Sequence, residues 1–114
     1  MLVAYVAALG LTLAVEAPLY ATGLRFGFGL RWSSGFAAGV AVNLVTHPLG
    51  LVLVGPALAP FIGPTATLAV IEIGAWWLEA AMLYAWLRRD VAVLAGVAFV
   101  ANGASLAAGL LLLR

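Results

Sequence analysis

Apolar residues run along this chain in four long stretches, interrupted only where glycine, proline or arginine gather. The stretches cover residues 2–24, 33–54, 65–87 and 91–113. A helix of about 20 mainly apolar residues crosses the hydrocarbon core of a bilayer, and each stretch meets that length. The pattern predicts an all-α integral membrane protein, a four-transmembrane-helix bundle in a single membrane domain over residues 1–114.

The links shape the bundle as two tandem helical hairpins. Arg88-Arg89-Asp90 has room only for a tight turn, so residues 65–87 and 91–113 must run antiparallel. The segment RFGFGLRW joins the first pair, with Ser33-Ser34 suited to an N-cap. Gly55-Pro56 reads as a helix stop, and residues 55–64, with three prolines, are expected as an interfacial loop or a shallow re-entrant segment. Pro48 lies inside the second stretch; it removes a backbone bond and should bend that helix.

Composition supports the membrane reading. The chain is 67% hydrophobic and 8% charged, with a mean hydropathy of +1.22. Soluble domains are about a quarter charged, and a small domain cannot hide this much apolar surface from water. A net charge of +1 forms no basic patch, which excludes nucleic acid as a partner. The absence of cysteine excludes disulfides and thiolate chemistry. The first stretch lacks a basic n-region and outruns a signal-peptide core, so it is read as a retained span.

Charge also orients the chain. Arg25, Arg31, Arg88 and Arg89 lie in the first and third links, opposite Arg114 and the N-terminal amine. The positive-inside rule then makes those links cytoplasmic and both termini extracytoplasmic, in a plasma membrane of prokaryotic type. Trp32, Trp86, Tyr20 and Tyr84 read as interfacial anchors. Trp76 and Trp77 lie deeper and are expected to pack between helices.

The two halves, residues 1–54 and 65–114, repeat a set of markers. Glu16 precedes Arg25 by nine positions, as Glu79 precedes Arg88. Asn43 follows Arg31 by twelve, as Asn102 follows Asp90, and Thr46 and Ser105 each come three residues after their asparagine. Each half is a whole hairpin, so the expected relation is a parallel internal repeat about an axis along the membrane normal.

These markers carry the candidate chemistry. At 1.5 Å per residue, Glu16 and Glu79 stand about 13 Å above Arg25 and Arg88, and Asn43 and Asn102 about 18 Å above Arg31 and Asp90. Glu72 and His47 both lie about 24 Å up, toward the far face. A charge at a helix centre costs on the order of 2.5–3.5 kcal/mol even on the mildest scale, so these acids must face inward and be paired, metal-bound or protonated.

The leading expectation is a protein that binds or translocates a cation, either a proton or a divalent metal. Glu16, Glu79, Asn43 and Asn102 form its midplane site, Glu72 and His47 an outer gate or metal site, and Thr46 and Ser105 polar support. The oxygen donors with one imidazole suit a divalent metal ion as cofactor. Four helices make a narrow path, which implies a homo-oligomer or a larger membrane complex. A second reading is a non-catalytic membrane subunit whose polar residues specify helix packing. A third is an intramembrane metal- or acid-dependent hydrolase, although no catalytic motif such as HExxH or GxSxG is present. Glu16 resembles the first-helix glutamate of small multidrug resistance transporters, and Asn43 the second-helix asparagine of fluoride channels. Each likeness covers one residue of its family's motif, so neither family is assigned.

Overall fold

The computed structural model describes residues 2–112. Leu113 and Arg114, which close the fourth expected span and mark its outer end, lie outside the described residues, as does Met1 with its amine. The described chain is helical almost throughout: α1 (Leu2–Phe28), α2 (Trp32–Pro48), a π-helical segment (Leu49–Val54), α3 (Gly55–Leu87) and α4 (Val91–Leu112).

Three helical runs, not the four separate helices expected, are long and apolar enough to cross a membrane: Leu2–Phe28, Trp32–Leu87 and Val91–Leu112. The difference arises at residues 49–64, where helical backbone replaces the anticipated interruption. Pro48 closes α2, and the chain runs on as π-helical turns over Leu49–Val54. Gly55-Pro56 opens α3 instead of stopping a helix, because a proline in a first turn sacrifices no bond.

The middle run is not straight. Its 56 residues would extend about 84 Å at 1.5 Å each, whereas the molecule measures 43 × 24 × 20 Å. Gly63 breaks it, with φ 84° and ψ 167°, a region essentially reserved for glycine. Pro64 reinforces the break by disfavouring helical backbone in the residue before it. Beyond Gly63, α3 packs back on both the π segment and α2. Gly50 makes room for that approach, since a Cβ there would lie 2.7 Å from the Ile71 side chain.

The elements close a ring in which α1 touches α2 and α4, and α3 touches α4 and α2. The first and third links sit at one end, where Arg89 donates to the Phe28 carbonyl at 3.3 Å and lies over the Phe28 ring. Arg88 takes the left-handed conformation that ends α3, and Asp90 caps α4 through the Val93 amide at 3.3 Å. No side-chain cap forms at α2; Arg31 stands at that position, not Ser33 or Ser34.

Burial inverts the order of a soluble protein. Glu16, Asn43, Thr46, Thr67, Glu79, Asn102 and Ser105 are buried, while Leu2, Val3, Phe26, Phe61, Leu111 and many other large apolar residues are exposed. That exterior fits contact with lipid. Trp76 packs as expected, donating to the Ala95 carbonyl at 2.7 Å and contacting Phe99. Trp77 does not; it stacks on Trp76 from the outer surface.

Small residues bring α1 and α2 close together. A Cβ on Gly35 would lie 2.9 Å from the Ala21 Cα, and one on Gly39 2.9 Å from the Ala17 Cα. Gly74, Gly103 and Gly109 face open space and play no such part. Gly39→Ala should therefore destabilise the fold by about 1–3 kcal/mol through overpacking against backbone. Gly103→Ala should stay within about 0.5 kcal/mol of the parent, both read by reversible unfolding in mixed micelles.

Candidate functional site

Helical spacing assembles the site. Glu16 and Tyr20, four apart on α1, share one face, as do Asn43 and Thr46 on α2 and Asn102 and Ser105 on α4. These residues are all buried and meet the wholly buried Glu79 of α3.

The two central glutamates have different surroundings. Glu79 Oε1 accepts from the Tyr20 hydroxyl and from Asn102 Nδ2 at 3.0 Å, and Oε2 accepts from Thr46 Oγ1 at 2.6 Å. Three donors from three helices thus meet its two oxygens. Glu16 accepts one well-formed hydrogen bond, from the Ser105 hydroxyl to Oε2, and the Asn43 amide also lies near its carboxyl. Its Oε1 is buried with no hydrogen-bond partner among the described residues.

The pairing crosses the halves of the chain. Thr46 of the first half reaches Glu79 of the second, and Ser105 of the second reaches Glu16 of the first. Both asparagines turn an amide N–H to the carbonyl four residues back, Gly39 at 2.8 Å and Ala98 at 2.9 Å. The buried positions of α2, namely 35, 39, 42, 43 and 46, recur 59 residues later as the buried positions of α4. On α1 and α3, buried positions 16, 17 and 20 recur 63 residues later.

Each hydroxyl has two acceptors. Thr46 Oγ1 also lies 3.1 Å from the Val42 carbonyl, and Ser105 Oγ 3.1 Å from the Asn102 carbonyl. A hydroxyl carries one proton and two lone pairs. It can donate to a carboxylate, or turn its proton to the carbonyl and accept from a protonated carboxyl.

One cavity of about 210 Å³ is lined by all eight residues singled out in the sequence: Glu16, Asn43, Thr46, His47, Glu72, Glu79, Asn102 and Ser105. Leu11, Leu51, Leu68, Ile71 and Leu106 give it apolar walls. It extends toward the end of the bundle that holds both termini, where Ala8 and Leu110 also line it. His47 packs its ring 5.4 Å from Tyr5 and has a buried Nε2 without a partner among the described residues.

Among the described residues, no group of three histidine or acidic side chains is placed to hold a metal ion. Tyr20 departs from expectation: placed at the membrane interface by the sequence, it is wholly buried and bonded to Glu79. Its position one turn from Glu16 was the signal for this role. Thr12, one turn to the other side of Glu16, also lines the cavity and went unremarked in the sequence. Tyr84, by contrast, is exposed beside Arg88, as an anchor should be.

Double-mutant cycles test the crossed pairing. Thr46→Val with Glu79→Gln, and Ser105→Ala with Glu16→Gln, should each give coupling of about 0.6–1.7 kcal/mol, the range for hydrogen bonds in membranes. Thr46→Val with Glu16→Gln should couple by less than about 0.3 kcal/mol.

The chain matches no family model, no curated protein and no solved structure.

Proposed function

We propose that this protein binds a cation in the polar cavity and moves it across the membrane in exchange for a proton on Glu16. The observation that carries this reading is the Oε1 of Glu16, buried without a hydrogen-bond partner among the described residues, in a side chain that lines the cavity. A structural carboxyl would be expected to use both oxygens, because unsatisfied polar groups in hydrocarbon cost several kcal/mol.

In this scheme Glu79 is the fixed member, tied by Tyr20, Thr46 and Asn102. Glu16 is the exchanging member. When it holds a proton, Ser105 turns its hydroxyl to the Asn102 carbonyl and accepts from the acid. When it gives the proton up, Ser105 turns back to donate and Oε1 receives the cation. No buried hydroxyl loses its partner in either state. Asn43 and Asn102 add neutral amides to the wall, and Glu72 and His47 stand on the path to the open end.

The proposal includes four crossings, with the middle helical run spanning the bilayer twice about Gly63. It sets the arginine end in the cytoplasm and both termini outside, and treats the matched burial of the halves as a parallel internal repeat. A homo-oligomer would supply the width that one ring of helices lacks. The threefold bonding of Glu79 also favours a second reading, a membrane subunit whose polar residues only fix helix packing.

Flux separates the two. In proteoliposomes with a pH-sensitive dye inside, a cation gradient should drive proton counterflow in the parent. Glu16→Gln should reduce that flux at least about tenfold, as expected when the exchanging group is lost. A folded parent with no flux above empty vesicles would favour the packing reading.

A further inference from the structure

Two buried side-chain polar atoms have no hydrogen-bond partner among the described residues: Glu16 Oε1 on α1 and His47 Nε2 on α2. Such atoms are rare in folded proteins, and here both belong to side chains that line one cavity. Their helices lie side by side, with Gly39 against Ala17 and His47 against Tyr5.

The antiparallel register sets the two groups one turn apart. The Asn43 amide lies near the Glu16 carboxyl. Four residues outward on α1 stands Thr12, and four residues outward on α2 stands His47. Each is about 6 Å nearer the end that holds the termini, and Thr12 also lines the cavity. Glu16 is buried, whereas His47 is half-buried with its Nε2 turned away from the exterior. A proton cannot cross such a gap in one step. The cavity's roughly 210 Å³, against about 30 Å³ for a water molecule in the liquid, has room for waters to bridge it.

We infer that His47 is the proton port of this cavity, passing protons between the outer end of the bundle and Glu16 through one or two waters beside Thr12 and Asn43. This rests on Glu16 as the exchanging acid in the reading above, and adds the route its proton takes. A proton taken up by the ring makes an imidazolium. Its Nε2–H bond breaks toward the nearest water, a proton of the last water passes to Glu16 Oε1, and the ring is left neutral; discharge runs the same steps backward. Imidazole can take a proton on one ring nitrogen and release one from the other. The titratable groups around it are Tyr5 and Glu16 on α1 and Glu72 and Glu79 on α3, while α4 brings only neutral residues to the cavity. Glu72 is the rival port, but α1 and α3 make no helix contact, whereas α1 and α2 pack closely.

Time-resolved infrared spectroscopy of the full chain in micelles, after photorelease of acid, tests this. It follows Glu16 gaining its proton through the carboxyl band that Glu16→Gln abolishes. His47→Phe keeps a ring against Tyr5 but carries no proton. It should slow protonation at least about tenfold, below the usual worth of a positioned acid–base group, and leave the final size of the band unchanged. His47→Ala should be as slow and recover its rate with free imidazole, which serves if the phenylalanine variant fails to fold. Glu72→Gln should keep the parent rate. A parent rate in the His47 variants would overturn the port, as would slowing that imidazole leaves unrestored and that comes with loss of the band itself. A failed port with proton counterflow intact leaves cation exchange standing. A working port without counterflow removes the exchange and keeps the port. A parent that lacks the Glu16 band at every pH removes both.

Discussion

A carboxyl group in hydrocarbon has only the rest of the protein to pair with, and the organisation of this bundle follows from that. Glu16 and Glu79 point inward because a lipid-facing charge would oppose insertion. Once inward, they draw Tyr20, Thr46, Asn102 and Ser105 from three other faces of the ring. On the arginine side of this polar centre, Gly35 and Gly39 let α2 close on Ala21 and Ala17 of α1. Apart from a small apolar core that includes Leu24, Leu83 and Leu94, the large apolar side chains are left for the outside, where lipid is as good a partner as protein.

Near-symmetry and its breakdown carry different parts of the account. The same buried face appears twice along the chain, and each hydroxyl serves the glutamate of the opposite half. A perfect twofold would give both acids equal surroundings. Tyr20 prevents this, because its counterpart position, 83, is a leucine that offers no hydroxyl to Glu16. Glu79 is thereby held by three donors and Glu16 by one. The substitution of one aromatic hydroxyl by an aliphatic side chain separates a fixed acid from one with an oxygen to spare.

The helical class and the depth of the polar groups were legible in the sequence, since length, hydropathy and 1.5 Å per residue need no tertiary information. That all eight singled-out residues line one cavity follows from the same arithmetic plus the requirement that acids turn inward. The path of residues 49–64 was not legible. Proline there signals interruption, but Pro56 and Pro64 take early positions in their helical limbs and Gly63 alone departs from helix. The role of Tyr20 was hidden for a related reason: tyrosine is as suited to a headgroup as to a buried acid, and only packing decides between them.

Infrared difference spectroscopy of the carboxyl stretching region, recorded as the cation is added to the purified protein, tests the central claim most directly. The account predicts loss of one protonated-carboxyl band on cation binding, absent from Glu16→Gln and retained in Glu79→Gln. A band that persists through saturation, or one that vanishes with Glu79 instead of Glu16, would contradict it.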